Sequence, residues 1–276
     1  MTRRYTICSL IASASLFVLL ADAAVYVSRR SHAPMSVAAA VYWTDTNANR
    51  VAMYYFETLD ATGVVDSSAN GYSGYITGAV ATAIGPRTID GSAETAYSFI
   101  GDDWIAVAQA GITNVNIPWT LAATVNPASF TNFAFAVNLG NSAEANTICG
   151  FSVAQVNSSN RFRLFMRNTA GTDSMVITST ASYATNEWHH LAATYDGATN
   201  YTFYIDGTQD VVRSDGDIGA TTLNVTGIGA LRRSTLMQFW NGKIDDVREY
   251  LECLSSNAVW DMATQTTHPA GSTESR

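Results

Sequence analysis

Alternation with a period of two, interrupted every 8 to 15 residues by turn residues, restricts this chain more than any other feature. From Arg161 the sequence reads Arg-Phe-Arg-Leu-Phe-Met-Arg, placing Phe162, Leu164 and Met166 on one face and Arg161, Arg163 and Arg167 on the other side or at the ends. That is the pattern of a half-buried strand. Tyr201 to Ile205 meets Asp206-Gly207 and resumes as Thr208 to Val212. An Asp-Gly pair between two such runs predicts a tight hairpin, whose turn positions need positive φ. Asp196-Gly197 closes the run from Trp188 to Tyr195 in the same way. The same reading predicts strands at 52–56, 97–100, 104–107, 119–126, 133–139, 147–153, 174–178, 223–227 and 242–250. The pattern from Thr77 to Glu94 leaves strand and coil both open. Helical tendency is confined to Ser255 to Ala263, with Ser255 or Ser256 placed to cap it. Many short strands and almost no helix predict an all-β protein, an antiparallel two-sheet sandwich or jelly roll. Trp104, Trp119 and Trp188 lie inside alternating runs and are expected in its core. Trp240 precedes a glycine in a turn, where an exposed ring would stack on a sugar, and is the candidate ligand-binding residue.

The 276 residues are enough for one large sandwich whose core needs neither disulfides nor metal. Charged residues make only 14% of the chain, against about 25% in an ordinary domain, so the expected surface is neutral and polar. The formal net charge of −8, with Lys243 as the single lysine, argues against nucleic acid, whose binders carry a basic stripe. It also argues against acidic membranes. Cys8, Cys149 and Cys253 show no metal-binding spacing, and the last two are read as either one disulfide or two buried thiols.

The N-terminus reads separately from the fold. Arg3 and Arg4, an apolar run from Ile7 to Leu20 and Ala21-Asp22-Ala23 form a signal-peptide pattern over residues 1–23. The competing reading is an uncleaved anchor, which would be the chain's one route to a membrane. Residues 24–49 are expected to be a linker, 50–265 the folded domain, and 266–276 a flexible tail.

Six stretches in order carry a more specific signal. They are Met53-Tyr54-Tyr55-Phe56-Glu57 with Val65-Asp66-Ser67-Ser68-Ala69-Asn70-Gly71, then Ala96 to Ile105, Pro118 to Pro127, Asn186 to Gly197, Tyr204-Ile205-Asp206-Gly207, and Trp240 to Tyr250. In this order and spacing the chain resembles laminin G-like domains of the concanavalin A-like lectin/glucanase superfamily, over about residues 50 to 265. The resemblance implies a concanavalin A-like jelly roll, a carbohydrate or glycoprotein partner, and calcium at the sandwich edge. Candidate calcium ligands are Glu57, Asp66, Asn70 and Asp246, since oxygen-rich loops suit a hard cation. Asp66 and Asn70 are equally suited to stabilising a turn. Asp102-Asp103 and Asp215-Gly216-Asp217 are weaker acidic turns.

Laminarinase-type members of that superfamily alternate two glutamates and an aspartate along one strand, and no Glu-x-Asp-x-Glu occurs here. Glu249 and Glu252 are the nearest pair, spaced so that strand alternation does not aim both at one substrate. No nucleophile elbow, phosphate loop or zinc motif is present. His189 and His190 are adjacent on a strand and face opposite ways. A non-catalytic binding module is therefore expected. The alternatives are a self-associating structural protein of a surface layer, filament or virion, and, third, a glycoside hydrolase.

Overall fold

The computed structural model describes residues 47–56, 63–68, 70–78, 81–89, 92–131, 133–214 and 218–264. The expected signal peptide, most of the linker, the tail, Glu57 and the 215–217 turn lie outside them.

The strands follow in chain order: β1 Arg50–Tyr54, β2 Gly63–Val64, β3 Gly74–Thr77, β4 Ala81–Ile89, β5 Ser92–Ile100, β6 Trp104–Val107, β7 Trp119–Pro127, β8 Phe135–Gly140 and β9 Ile148–Val156. They continue as β10 Ser159–Arg167, β11 Ser174–Thr178, β12 His189–Tyr195, β13 Tyr201–Ile205, β14 Thr208–Arg213, β15 Val225–Ile228, β16 Leu231–Arg232, β17 Leu236–Met237 and β18 Asn241–Tyr250, followed by helix α1 Ser256–Thr264. One sheet has the order β14-β13-β12-β7-β18-β5-β4, with β1 also paired to β18. The other runs β11-β10-β9-β8-β15-β6-β3-β2, and β16 and β17 form a small separate hairpin. All pairings among the described residues are antiparallel, and distant strands such as β7 and β18 lie side by side. This is the predicted sandwich.

Alternation dictates what fills it. Leu121, Ala123 and Val125 of β7 and Leu191, Ala193 and Tyr195 of β12 meet Phe162, Leu164 and Met166 of β10 in one buried cluster. The other face of the first sheet carries Ala122, Ala192, Tyr204 and Tyr250, and Val259 and Met262 of α1 cover them. Ser255 caps that helix, its hydroxyl accepting the Ala258 N–H at 3.3 Å. At the β13–β14 turn Asp206 and Gly207 both take positive φ, 52° and 77°, as a two-residue hairpin requires.

Two features depart from the sequence reading. The unassigned segment after Thr77 forms β4, paired to β5 with a break in register between Ile84 and Thr88. The tryptophans also exchange places: Trp119 and Trp240 are wholly buried, whereas Trp104 and Trp188 are only half-buried. Trp188 precedes β12, and Trp104 points away from the core, with the Arg232 guanidinium 5.3 Å above its ring. Trp240 belongs to the main cluster and has no face at which to meet a ligand.

Candidate functional site

Of the proposed calcium ligands, Glu57 lies outside the described residues, Asp66 and Asn70 share one loop, and Asp246 belongs to another acidic group. Asp66 is buried, and its carboxylate accepts the N–H groups of Met53, Ser68 and Tyr72 and the Ser68 hydroxyl at 2.8–3.0 Å. Asn70 donates its amide to the carbonyls of Arg50 and Val51. Both residues fasten the loop after β2 to β1, the turn-stabilising role. Asp246 groups instead with Glu94 and Asp245, all three buried, with ligand oxygens within 4.8 Å of one another.

Sheet topology explains that acidic corner. One edge of β18 pairs with β5 over Asn241–Ile244 and with β1 over Val247–Tyr250, so Asp245 and Asp246 fall at the changeover. Across the other edge Asp245 opposes Thr124 and Arg248 opposes Ala122. Three steps on β18 thus match two on β7, a one-residue bulge. Asp246 is the extra residue, with φ 50°. Its carboxylate lies 3.5 Å from the Arg248 guanidinium, which rests over the Tyr55 ring. A Cβ at Gly85 would come within 3.2 Å of the Asp245 carboxylate and 3.0 Å of Glu94, so the glycine keeps the corner open. Carboxylates this close repel unless cations or protons lie among them. Their donor set, all oxygen, is one that calcium accepts.

Glu249 and Glu252 do not share a cleft. Glu249 faces the core, where its carboxylate accepts the N–H groups of Gly111 and Ile112 and the Thr226 hydroxyl at 2.9–3.0 Å. Glu252 accepts the side-chain amides of Asn47 and Asn49. His189 shares a 2.9 Å hydrogen bond with Asp206 and packs against Phe162 and Tyr183, while His190 faces the opposite side. Asp206 also accepts the His190 N–H at 2.9 Å. Burial pushes its carboxyl up, but these bonds and the two histidines hold it below its usual value. Cys149 and Cys253 are not bonded to each other.

A second site was not anticipated. On the outer face of the second sheet lies a cleft of about 320 Å³, the lower end of the range for small-ligand sites. Its floor is Phe135, Ile148, Phe165 and Leu231, with Phe135 and Phe165 edge to face at 6.3 Å. Alternation puts Arg163, Phe165 and Arg167 of β10 on this face because Phe162, Leu164 and Met166 point inward. The segment from Leu231 to Gln238 forms the opposite wall and brings Arg233 and Met237. Phe133 is 51% exposed, and the Arg163 guanidinium sits 5.3 Å from its ring centroid.

Backbone strain marks this cleft. Phe133 and Gln238, both lining it, have φ of 52° and 53°. Such angles are rare for bulky side chains and cluster at ligand clamps. The Phe135 N–H donates to the Gln238 carbonyl at 2.9 Å, tying the two strained segments together. The sequence signal was the outward row Arg163-Phe165-Arg167. Its convergence with residues about 70 positions later was not readable.

Residues 99–259 match the family described as the "Concanavalin A-like lectin/glucanases superfamily", a laminin G family. No curated protein matches the sequence. Among solved structures, the chain is similar to domain 4 of AbnA, an extracellular arabinanase of Geobacillus stearothermophilus solved with arabinotriose. The TM-score is 0.59 and the identity 19%, over 78% of this chain and 98% of that one. It is also similar to the binding domain of botulinum neurotoxin serotype G (TM-score 0.58, 13% identity, 78% of this chain) and to that of Paraclostridial Mosquitocidal Protein 1 (0.57, 14%, 78%). The chain spans about half the length of those two toxin domains, 50% and 52%. At these identities the likeness shows the fold.

Proposed function

Because the chain belongs to the concanavalin A-like lectin/glucanases superfamily, we propose that it is a non-catalytic binding module recognising carbohydrate, free or on a glycoprotein. The observation that carries this reading is the cleft on the second sheet. It combines an exposed Phe133, an aromatic floor and the polar groups of Ser152, Gln238 and three arginines. An apolar surface with a few converging polar groups suits a sugar, which has an apolar ring face and a hydroxyl edge. The toxin binding domains and the arabinanase domain in complex with arabinotriose share this fold and agree with such a role. The arginine-led apolar segment ending at Ala23 supports export. Among the described residues no helix is long and apolar enough to cross a membrane.

A glycan array probed with the wild-type chain and with Phe133→Ala tests the reading. Binding by the wild type, weakened on the order of tenfold or more by loss of this central aromatic, is the expected result. No glycan bound, with a large regular assembly on a sizing column, would overturn it in favour of the structural role.

A calcium ion held by Glu94, Asp245 and Asp246 belongs to the same proposal, with a structural role: it would brace the junction of β1, β5 and β18. Chelation is then expected to lower the melting temperature by roughly 5–10 °C, since a site kept near 100 times its dissociation constant adds about 2.7 kcal/mol. An unchanged melting point in excess chelator would remove calcium from the account and leave the cleft untouched.

A further inference from the structure

The cleft gathers positive charge in a protein whose formal net charge is −8. Arg163, Arg167 and Arg233 line it, and its walls contain no Asp or Glu. None of the three has a carboxylate partner among the described residues. Arg163 rests on the Phe133 ring, and its Nε has no hydrogen-bond partner there. Arg167 donates to the Gly171 carbonyl at 3.3 Å. Arg233 donates to the Ala145 carbonyl and touches the Met237 sulfur. These contacts fix the guanidinium groups in place and leave their charge uncompensated. Burial lowers the proton affinity of Arg163. It does the same for Arg233, where the charge of Arg167 adds to the effect. Elsewhere Arg248 has a carboxylate beside it at 3.5 Å.

Guanidinium groups recognise planar or tetrahedral oxyanions through paired N–H donors. We propose that the cleft is selective for an acidic saccharide, its carboxylate or sulfate held by Arg163, Arg167 and Arg233 while a sugar ring packs on Phe133. The proposal rests on the carbohydrate-binding reading above and names the ligand class for it.

The test titrates the full chain with matched oligosaccharides: a uronic-acid oligomer and its carboxyl-reduced form, and a sulfated galactan oligomer and its desulfated form. The two pairs tell carboxylate from sulfate. At least one acidic member is expected to bind ten times or more tighter than its neutral match. Arg163→Gln and Arg233→Gln should each reduce that ratio several-fold, while Arg213→Gln, on the exposed edge strand β14, leaves it unchanged. In the wild type, salt raised from about 0.05 to 0.5 M should shrink the ratio by screening, a check independent of variant folding. Equal affinity for acidic and neutral members overturns the acidic preference while the carbohydrate reading stands. Binding to none of the four, with no hit on the glycan array, overturns both. A preference that survives both arginine substitutions places the acid elsewhere and overturns the assignment to this cleft.

Discussion

Trp240→Ala is expected to destabilise the fold by about 3–5 kcal/mol, the range for emptying a large aromatic position in a core. The ring is wholly buried in the main cluster between the sheets. The Trp240 backbone N–H donates to the Gly229 carbonyl at 2.7 Å, anchoring the entry to β18. Gly229 sits at φ 85°, and a Cβ there would lie 2.4 Å from the Phe99 ring, so the surroundings have little room to rearrange around a void. Urea unfolding measures the loss. A surface tryptophan serving a sugar would behave in the opposite way, with stability kept and affinity gone. That pattern in Trp240→Ala would contradict its place in the core.

The second large effect is a pH dependence set by Glu249. Burial pushes its carboxyl up to about 7. The N–H of Ile112, the Thr226 hydroxyl and the N–H of Gly111 oppose that rise, and the charge of Asp66 adds to it. The unfolded carboxyl ionises near 4.5. Between those values the folded state holds more protons than the unfolded state, so stability falls as pH rises through this window. The loss attributable to Glu249 approaches about 3 kcal/mol above pH 7. Glu249→Gln keeps an oxygen for the two N–H groups and an amide for Thr226, and it cannot ionise. The stability of the wild type minus that of the variant should therefore drop by about 3 kcal/mol between pH 4 and pH 8. A difference independent of pH would show that Glu249 does not carry the charge change.

Much of the architecture was legible because strand alternation and turn chemistry are local. β6 and β11 have the predicted bounds, and the hairpin at Asp206-Gly207 and the helix capped by Ser255 stand where the turn and cap residues put them. Where the chain departs from alternation the reading lost its footing. The bulge at Asp246 cannot be seen in Ile-Asp-Asp-Val, and it is what turns that carboxylate toward Asp245 and Glu94 rather than toward Asp66. Glu94 itself closes the segment whose pattern leaves strand and coil both open. Alternation also separates two faces without saying which one packs, which is how Trp104 came to be expected inside, while the glycine after Trp240 suggested an exposed turn where the chain instead enters β18. The cleft needed three segments, around Phe133, Arg163 and Arg233, to meet through pairings far apart in sequence.

Calorimetric titration of the best glycan from the array into the wild type, Phe133→Ala and Trp260→Ala tests the central claim most directly. Trp260 is 50% exposed on α1, which packs on the other sheet, and is the rival aromatic surface. Binding in the cleft predicts a loss of tenfold or more for Phe133→Ala and an unchanged affinity for Trp260→Ala. The reverse pattern, or equal affinity in all three proteins, would contradict it.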